Sequence, residues 1–352
     1  MRNAVMDEGS VRKGQRTASF DPPVRVGLVG AGVFGGYHGW KVHDHPAAQL
    51  AGVHDVDEAA AQALSDKFGA TVARRFADLL DRVDAVLITT PAPTHGDLAL
   101  QALNAGKHVF VEKPMALSLD VADAMIAGAL DAARVLQVGH QERYVAAALG
   151  LFDCGAIPAK MISRRCMPAT GRGEDVSVVM DLMIHDLDLT ACLFGEGTPV
   201  TVQSAQLSEA GHRVDAQLRA GPAKIDLTVS RRSKTRERSL QLDFAGGAVQ
   251  LDFLNRTLTN TTDMPLKGGF ADDDETDQQP LGLRDPLAYG FDHFMTAIKA
   301  ADAGAPVTQE PAQCGRRALA LAIAVECAAG LRDNPGADEY YSSNTRHSGG
   351  EA

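Results

Sequence analysis

The hydrophobic positions divide the chain into two parts with different rhythms. Up to about Gln141, short apolar runs alternate with stretches of helical period. The runs at 24–29, 49–54, 84–89, 108–112 and 135–139 read as buried strands. Between them, a helix runs to about His45, where Pro46 stops it, and a second covers Asp57 to Phe68 with Gly69 as its stop. A third spans Thr94 to Ala105, with Thr94 as N-cap and Gly106 past its end, and a fourth spans Ser118 to Ala133. Strands alternating with helices of this length predict a parallel sheet with right-handed crossovers.

Beyond Gln141 the pattern changes. Residues 161–166 read as a strand and 178–194 as a helix. Strands then follow in series at 200–207, 212–219, 224–230, 240–244 and 249–253. The last two alternate (Leu240, Leu242, Phe244; Val249, Leu251, Phe253) on either side of Ala245-Gly246-Gly247-Ala248, whose glycines accommodate positive φ at both central turn positions. Such a sheet has one buried face and one open face. Residues 266–279 are acidic and read as a loop, and helices over 286–301 and 310–331 close the chain. The expected fold class is α/β: a doubly wound parallel sheet, then an α+β unit with a largely antiparallel, open-faced sheet. The expected boundaries are 23–142 and 143–333, with loose tails at 1–22 and 334–352.

Composition narrows the class. A chain of 352 residues exceeds the usual single core and suggests two domains. No apolar run reaches the roughly 18 residues of a membrane helix, and the polar first 22 residues do not read as a secretory signal. The five cysteines (Cys154, Cys166, Cys192, Cys314, Cys327) are scattered and form no CxxC pair. They suit a reducing, cytoplasmic setting better than a disulfide frame or a structural zinc site. A net charge of −11 argues against sequence-independent nucleic-acid binding.

The first chemical signal is Gly30-Ala31-Gly32-Val33-Phe34-Gly35, between a predicted strand and a predicted helix. Gly30 permits the tight turn, Gly32 lets a pyrophosphate approach the backbone, and Gly35 lets helix pack on strand. Val33 and Phe34 open the helix, whose amides and dipole suit phosphate. Asp55 stands at the end of the second strand, where a carboxylate accepts from the adenosine ribose and repels a 2′-phosphate. NAD is therefore the expected cofactor.

Three further stretches are Thr89-Thr90-Pro91 with His95, then Ala105-Gly106-Lys107-His108-Val109-Phe110-Val111-Glu112-Lys113-Pro114, then Asp181-Leu182-Met183-Ile184-His185-Asp186-Leu187-Asp188. With the glycine loop, they closely resemble the glucose–fructose oxidoreductase/inositol dehydrogenase (Gfo/Idh/MocA) family over roughly residues 23 to 332. The resemblance implies cofactor contacts from Thr90, Pro91, His95, Glu112 and Lys113. Lys113 lies at the carboxyl end of a parallel strand, where such sheets bind ligands, and Pro114 is a candidate for a cis bond. Asp181, His185 and Asp188, spaced i, i+4, i+7, share a helix face. Hydride transfer from a carbinol needs a base for the hydroxyl proton, and a histidine suits it. The resemblance agrees: His185 as base, Lys113 stabilising the developing charge on oxygen, and Asp181 orienting substrate and tuning the histidine. A metal at His185, Asp186 and Asp188 is the poorer reading, since this chemistry needs none. The histidines of His43-Asp44-His45 suit a helix C-terminus.

For the substrate, the segments 139–144 and 172–181 resemble the family branch that oxidises C3 of UDP-N-acetylglucosamine for lipid A-type amino sugars. That implies substrate contacts from Arg143, Tyr144, Arg165, Arg172, Asp181 and His185, with the arginine forks suited to a diphosphate. Where that branch carries Asn-Pro, this chain has Val145-Ala146, so the asparagine contact is not expected. Arg231, Arg232, Lys234, Arg236 and Arg238 read as decoration of an exposed strand and turn, where charge blocks edge pairing. The alternatives are a free-sugar or inositol dehydrogenase with the same residues, and a ligand-sensing regulator without turnover. The open sheet face and the family habit point to a homodimer or homotetramer.

Overall fold

A computed structural model of the protein describes residues 22–153, 155–170, 175–267, 270 and 280–333. Arg172, the two expected tails and most of the expected loop at 266–279 lie outside the described residues.

The first sheet is parallel throughout, with strands β1 (Val24–Val29), β2 (Ala48–His54), β3 (Thr71–Val72), β4 (Ala85–Ile88), β5 (His108–Glu112) and β6 (Leu136–Gly139). Their spatial order is β3-β2-β1-β4-β5-β6, so the chain reverses direction across the sheet at β1. Ligands in open α/β sheets bind outside the carboxyl ends at such a point. β4, β5 and β6 are buried along their whole length, as expected for strands covered on both faces. Helices α1 (Val33–Asp44), α2 (Glu58–Phe68), α3 (Phe76–Leu80), α4 (His95–Asn104) and α5 (Leu119–Asp131) make the connections. Asp57 caps α2 through the Ala59 and Ala60 amides, worth about 1 kcal/mol, and Ser118 caps α5 through the Val121 amide. Thr94 does not cap α4: its hydroxyl meets Thr90 Oγ1 at 2.7 Å and the Pro91 carbonyl at 2.8 Å.

The second sheet has the order β13-β12-β11-β7-β10-β9-β8. Its strands are β7 (Lys160–Cys166), β8 (Val200–Ser208), β9 (Arg213–Ala220), β10 (Ala223–Ser230), β11 (Glu237–Phe244), β12 (Gly247–Asp252) and β13 (Thr257–Asn260). Only β7 and β10 pair in parallel. In β9 every second residue is buried, so one face meets the core and the other stays open. The β11–β12 turn differs from the expected glycine pair. Phe244 pairs with Gly247, leaving Ala245 and Gly246 as the loop, and Gly247 alone of the two glycines has positive φ. A Cβ on Gly247 would lie 2.5 Å from the Thr261 carbonyl oxygen, so close backbone approach is what requires glycine there.

β10 and β11 flank β7 inside the sheet, so neither is an edge. The basic residues from Arg231 to Arg238 therefore do not guard an edge. Their connection crosses the carboxyl end of β7, bound by hydrogen bonds from the Met167 amide to the Ser230 carbonyl and from the Ser233 amide to the Met167 carbonyl.

α6 (Gln141–Leu149), α7 (Ile184–Phe194), α8 (Leu281–Arg284), α9 (Pro286–Asp302) and α10 (Glu310–Ala328) complete the fold. The sequence boundary at 142/143 assigns α9 to the second unit, yet Phe291, Phe294, Met295 and Ile298 lie in the core beneath the first sheet, with Val26 and Phe110. Among the described residues no helix is long and apolar enough to cross a membrane.

Candidate active site

The carboxyl ends of β1, β2, β4 and β5 assemble the cofactor side. Gly30 turns with φ +98°, and a Cβ there would sit 2.8 Å from backbone atoms of Thr89 and Thr90. A Cβ on Gly35 would lie 2.0 Å from the Gly30 carbonyl oxygen, so only glycine lets α1 start there. A Cβ on Gly32 would meet nothing within 4 Å, so no contact within the protein requires glycine there. Gly32 precedes a helix with no side-chain cap and no acid in its first turn, so its leading amides are available to phosphate. Asp55 accepts from the Ala31 amide at 2.5 Å and from the Asp57 amide at 2.8 Å. The glycine turn and the uncapped, acid-free start of α1 suit the phosphates of a dinucleotide.

Two more loops border the same end. The His95 ring bridges the Thr90 and Pro114 carbonyl oxygens at 2.8 Å each, tying the loop after β4 to the loop after β5. The Lys113–Pro114 bond is cis. Glu112 is enclosed and paired with His38 Nε2 at 2.7 Å. Burial opposes its charge, but His38 and Lys113 hold its carboxyl below the usual range.

Lys113 reaches across to the second unit. Its Nζ donates to the Asp181 carbonyl at 2.6 Å and lies 3.3 Å from Asp181 Oδ1. Asp181 does not sit on a regular helix. Val179–Met183 forms a π-helical turn that runs into α7, a widening common at functional sites. Ser177 anchors that turn: its hydroxyl donates to Glu326 Oε1 at 2.5 Å and accepts from the Met180 amide.

His185 opens α7 and is buried. The carboxylate beside it is Glu142 of α6, with Oε2 2.6 Å from His185 Nδ1; Asp181 faces Lys113 instead. Burial, together with the charges of Lys113 and Arg165, pushes the imidazole down to about 3 against the upward pull of Glu142. It is therefore neutral near pH 7. Burial opposes the charge of Glu142, but its surroundings, Arg238 and Arg165 among them, hold its carboxyl well below the usual range. Arg165 Nη1 donates to Glu142 Oε1 at 3.1 Å, and Arg238 Nη2 donates to the same oxygen.

The neighbouring polar groups are just as enclosed. Arg165 turns its remaining donors to Asp186, at 3.0 and 3.4 Å. Arg143 grips Asp188 with Nε, at 3.0 Å, and Nη2, and reaches the Pro311 carbonyl with Nη1. Tyr144 is buried, and its hydroxyl accepts from Gln137 Nε2 at 2.8 Å. Arg143, Tyr144 and Arg165 therefore correct the expectation of substrate contacts. Arg143 and Arg165 are committed to internal partners that hold α6 and α7 together, and Tyr144 to Gln137 of β6, so the guanidinium groups are not free for a diphosphate. His140, also buried, stands edge-on to His185 with ring centroids 6.0 Å apart. Sequence reasoning missed Glu142 and His140.

A glycine loop suited to a dinucleotide and a lysine held by Asp181, one helical turn before a buried histidine, mark a nicotinamide-dependent oxidoreductase. A family model described as "Oxidoreductase family, NAD-binding Rossmann fold" (GFO_IDH_MocA) matches residues 24–140. The UDP-N-acetylglucosamine 3-dehydrogenase of Acidithiobacillus ferrooxidans is 33% identical over 318 residues, 87% of this chain and 97% of that one. A solved structure of that enzyme, GnnA, superposes with a TM-score of 0.76 at 31% identity, covering 88% of this chain and 98% of that one. An inositol 2-dehydrogenase of Rubrobacter xylanophilus is 35% identical over 179 residues, 47% of this chain and only half of that relative. The chain belongs to the Gfo/Idh/MocA family and is an oxidoreductase acting on CH–OH groups.

Proposed function

We propose that the protein oxidises a secondary hydroxyl of a nucleotide-linked amino sugar to a ketone, at C3 of a UDP-N-acetylglucosamine-type substrate, with NAD+ as oxidant. The observation that carries this reading is the meeting of Lys113, the residue after β5, with Asp181, one helical turn before His185 in the second unit, in a chain alike almost end to end to a UDP-N-acetylglucosamine 3-dehydrogenase. A nicotinamide held by the glycine loop would supply the acceptor for the hydride of the carbinol carbon. Neutral His185 accepts the hydroxyl proton. The Lys113 ammonium donates to the same oxygen as charge develops on it, while Asp181 holds the lysine in place. Asp55 favours NAD over NADP by placing negative charge where a 2′-phosphate would lie.

With Arg143 and Arg165 committed elsewhere, the diphosphate falls to the connection that crosses β7, where Arg232, Lys234 and Arg236 are exposed. The open face of the second sheet serves self-association into a dimer or tetramer, which light scattering on the purified protein measures.

Purified protein incubated with NAD+ and a panel of UDP-sugars, free hexoses and inositols decides the substrate by absorbance of reduced nicotinamide. Turnover confined to UDP-N-acetyl sugars is the expected outcome. Turnover with inositols and none with UDP-sugars overturns the nucleotide-sugar reading, and turnover with nothing, alongside ligand-dependent binding to another protein, favours a sensor.

A further inference from the structure

An imidazole serves as a base only through the nitrogen that carries no proton, so something must choose between its two tautomers. His185 Nδ1 is enclosed, and its neighbour at 2.6 Å is Glu142 Oε2, also enclosed. Neither atom has a well-aligned hydrogen bond to any other group among the described residues. Two buried polar atoms in this position satisfy each other or satisfy nothing, and leaving both unmet costs free energy. The other carboxylate oxygen, Oε1, is taken by Arg165 and Arg238. From these contacts we propose that Glu142 is a positioning residue: it accepts the Nδ1 proton of His185, fixes the Nδ1–H tautomer and leaves Nε2 as the atom that receives the substrate's hydroxyl proton. The inference rests on reading His185 as the base and adds what orients it.

The wiring favours this division. Two guanidinium groups on Oε1 keep Glu142 ionised, so Oε2 can only accept. They reach it from neighbouring strands: Arg165 on β7 is paired in register with Arg238 on β11. Asp186, one residue after the base, anchors Arg165 through Nε and Nη2 and accepts from the Ser163 hydroxyl at 2.8 Å. The sheet therefore holds the carboxylate, and the carboxylate holds the ring. When Nε2 takes up a proton, the imidazolium faces an anion that is already in place, and Glu142 remains unprotonated. Asp181 has no part in this. Its contact is Lys113, which separates the two acids the site uses: one for the lysine, one for the histidine.

Glu142→Gln tests the assignment because glutamine nearly keeps the shape and reverses the hydrogen bond. Its amide oxygen stays with the arginines, and its NH2 turns to Nδ1, which must then accept, so the proton moves to Nε2. In protein labelled with 15N-histidine, with His185 assigned by the missing signal in a His185→Gln variant, wild type should show the Nδ1–H tautomer and Glu142→Gln the Nε2–H tautomer. The variant should lose about 10²-fold or more in kcat, with the Kd for NAD+ unchanged. Glu142→Asp, which keeps the acceptor, should retain the wild-type tautomer and recover part of kcat. A wild-type His185 in the Nε2–H tautomer overturns the proposal, even if Glu142→Gln does not fold. So does a folded Glu142→Gln with unchanged tautomer and kcat. Should the tautomer be as expected while His185→Gln retains full turnover, the reading of His185 as the base fails and the Glu142–His185 pairing stands.

Discussion

Asp55 Oδ2 accepts from the Ala31 backbone amide at 2.5 Å, so the acid at the end of β2 braces the glycine loop after β1. Its other oxygen accepts from the Asp57 amide. One carboxylate thus braces the glycine loop and, in the proposed cofactor mode, also faces the ribose. This predicts a split between two substitutions. Asp55→Asn keeps an acceptor for Ala31 and removes the charge. NAD affinity should fall about tenfold, with NADP unchanged or improved, as expected for losing charge-assisted hydrogen bonds. Asp55→Ala removes the brace as well and should weaken both cofactors. Fluorescence titration with each dinucleotide checks this, and equal losses for NAD and NADP in Asp55→Asn would remove the ribose argument.

Lys113 links the end of β5 to the second unit, where Asp181 holds its ammonium through both backbone and side chain. Lys113→Met keeps much of the stem and deletes the charge. Turnover should fall about 10²- to 10³-fold, the usual cost of removing one donor to a developing oxyanion. The Kd for NAD should move by less than about threefold, since the phosphate and ribose contacts lie elsewhere. Single-turnover kinetics with the preferred sugar separate the two effects. Surviving activity would remove the lysine from the chemistry.

How far the sequence carried depends on whether a signal was local. Gly30, Gly35 and Asp55 were legible because their spacing along one β1–α1–β2 stretch carries the signal, although Gly30 also packs on the backbone of Thr89 and Thr90. Lys113 was legible by its place after a parallel strand. Glu142 was not, because its partners Arg165, His185 and Arg238 come from β7, α7 and β11, and nothing in its own neighbourhood marks it. Arg143 misled for the same reason. One residue along a helix is a rotation of about 100°, which turns Arg143 toward Asp188 while Glu142 faces the sheet. The two-residue β3 is too short to show alternation, and β13, largely exposed, has no apolar face to reveal it. The π turn at Val179–Met183 leaves the apolar pattern of its helix unbroken, so the sequence reads as one continuous helix.

The connection between β10 and β11 carries the test of substrate class. Arg232, Lys234 and Arg236 are exposed in a chain of net charge −11, at the end of β7 from which the backbone continues toward Asp181. Replacing all three with glutamate should raise the KM for a UDP-sugar about tenfold or more and leave the KM for NAD unchanged. The defect should narrow at high salt in wild-type comparisons, because exposed charge contacts are screened. A KM for the UDP-sugar that does not respond would place the diphosphate elsewhere.

His108 supplies a prediction about stability. It lies under the amino end of β5, where its Nδ1 accepts from the Val135 amide at 3.1 Å and its Nε2 faces Asp302 and Arg134. Burial, with help from the Arg134 charge, lowers it from 6.5 to about 4. In the window between those values the unfolded chain binds the proton and the folded one does not. Stability therefore rises with pH through that window and is lost as pH falls from 6.5 toward 4, by up to ~3 kcal/mol from this group. His140 and His293, lowered chiefly by burial, act in the same direction. His108→Asn keeps an acceptor for the Val135 amide and cannot titrate. Urea unfolding at pH 7 and pH 4.5 should show a smaller acid-induced loss in the variant than in wild type. Equal losses would mean that His108 is protonated in the folded protein.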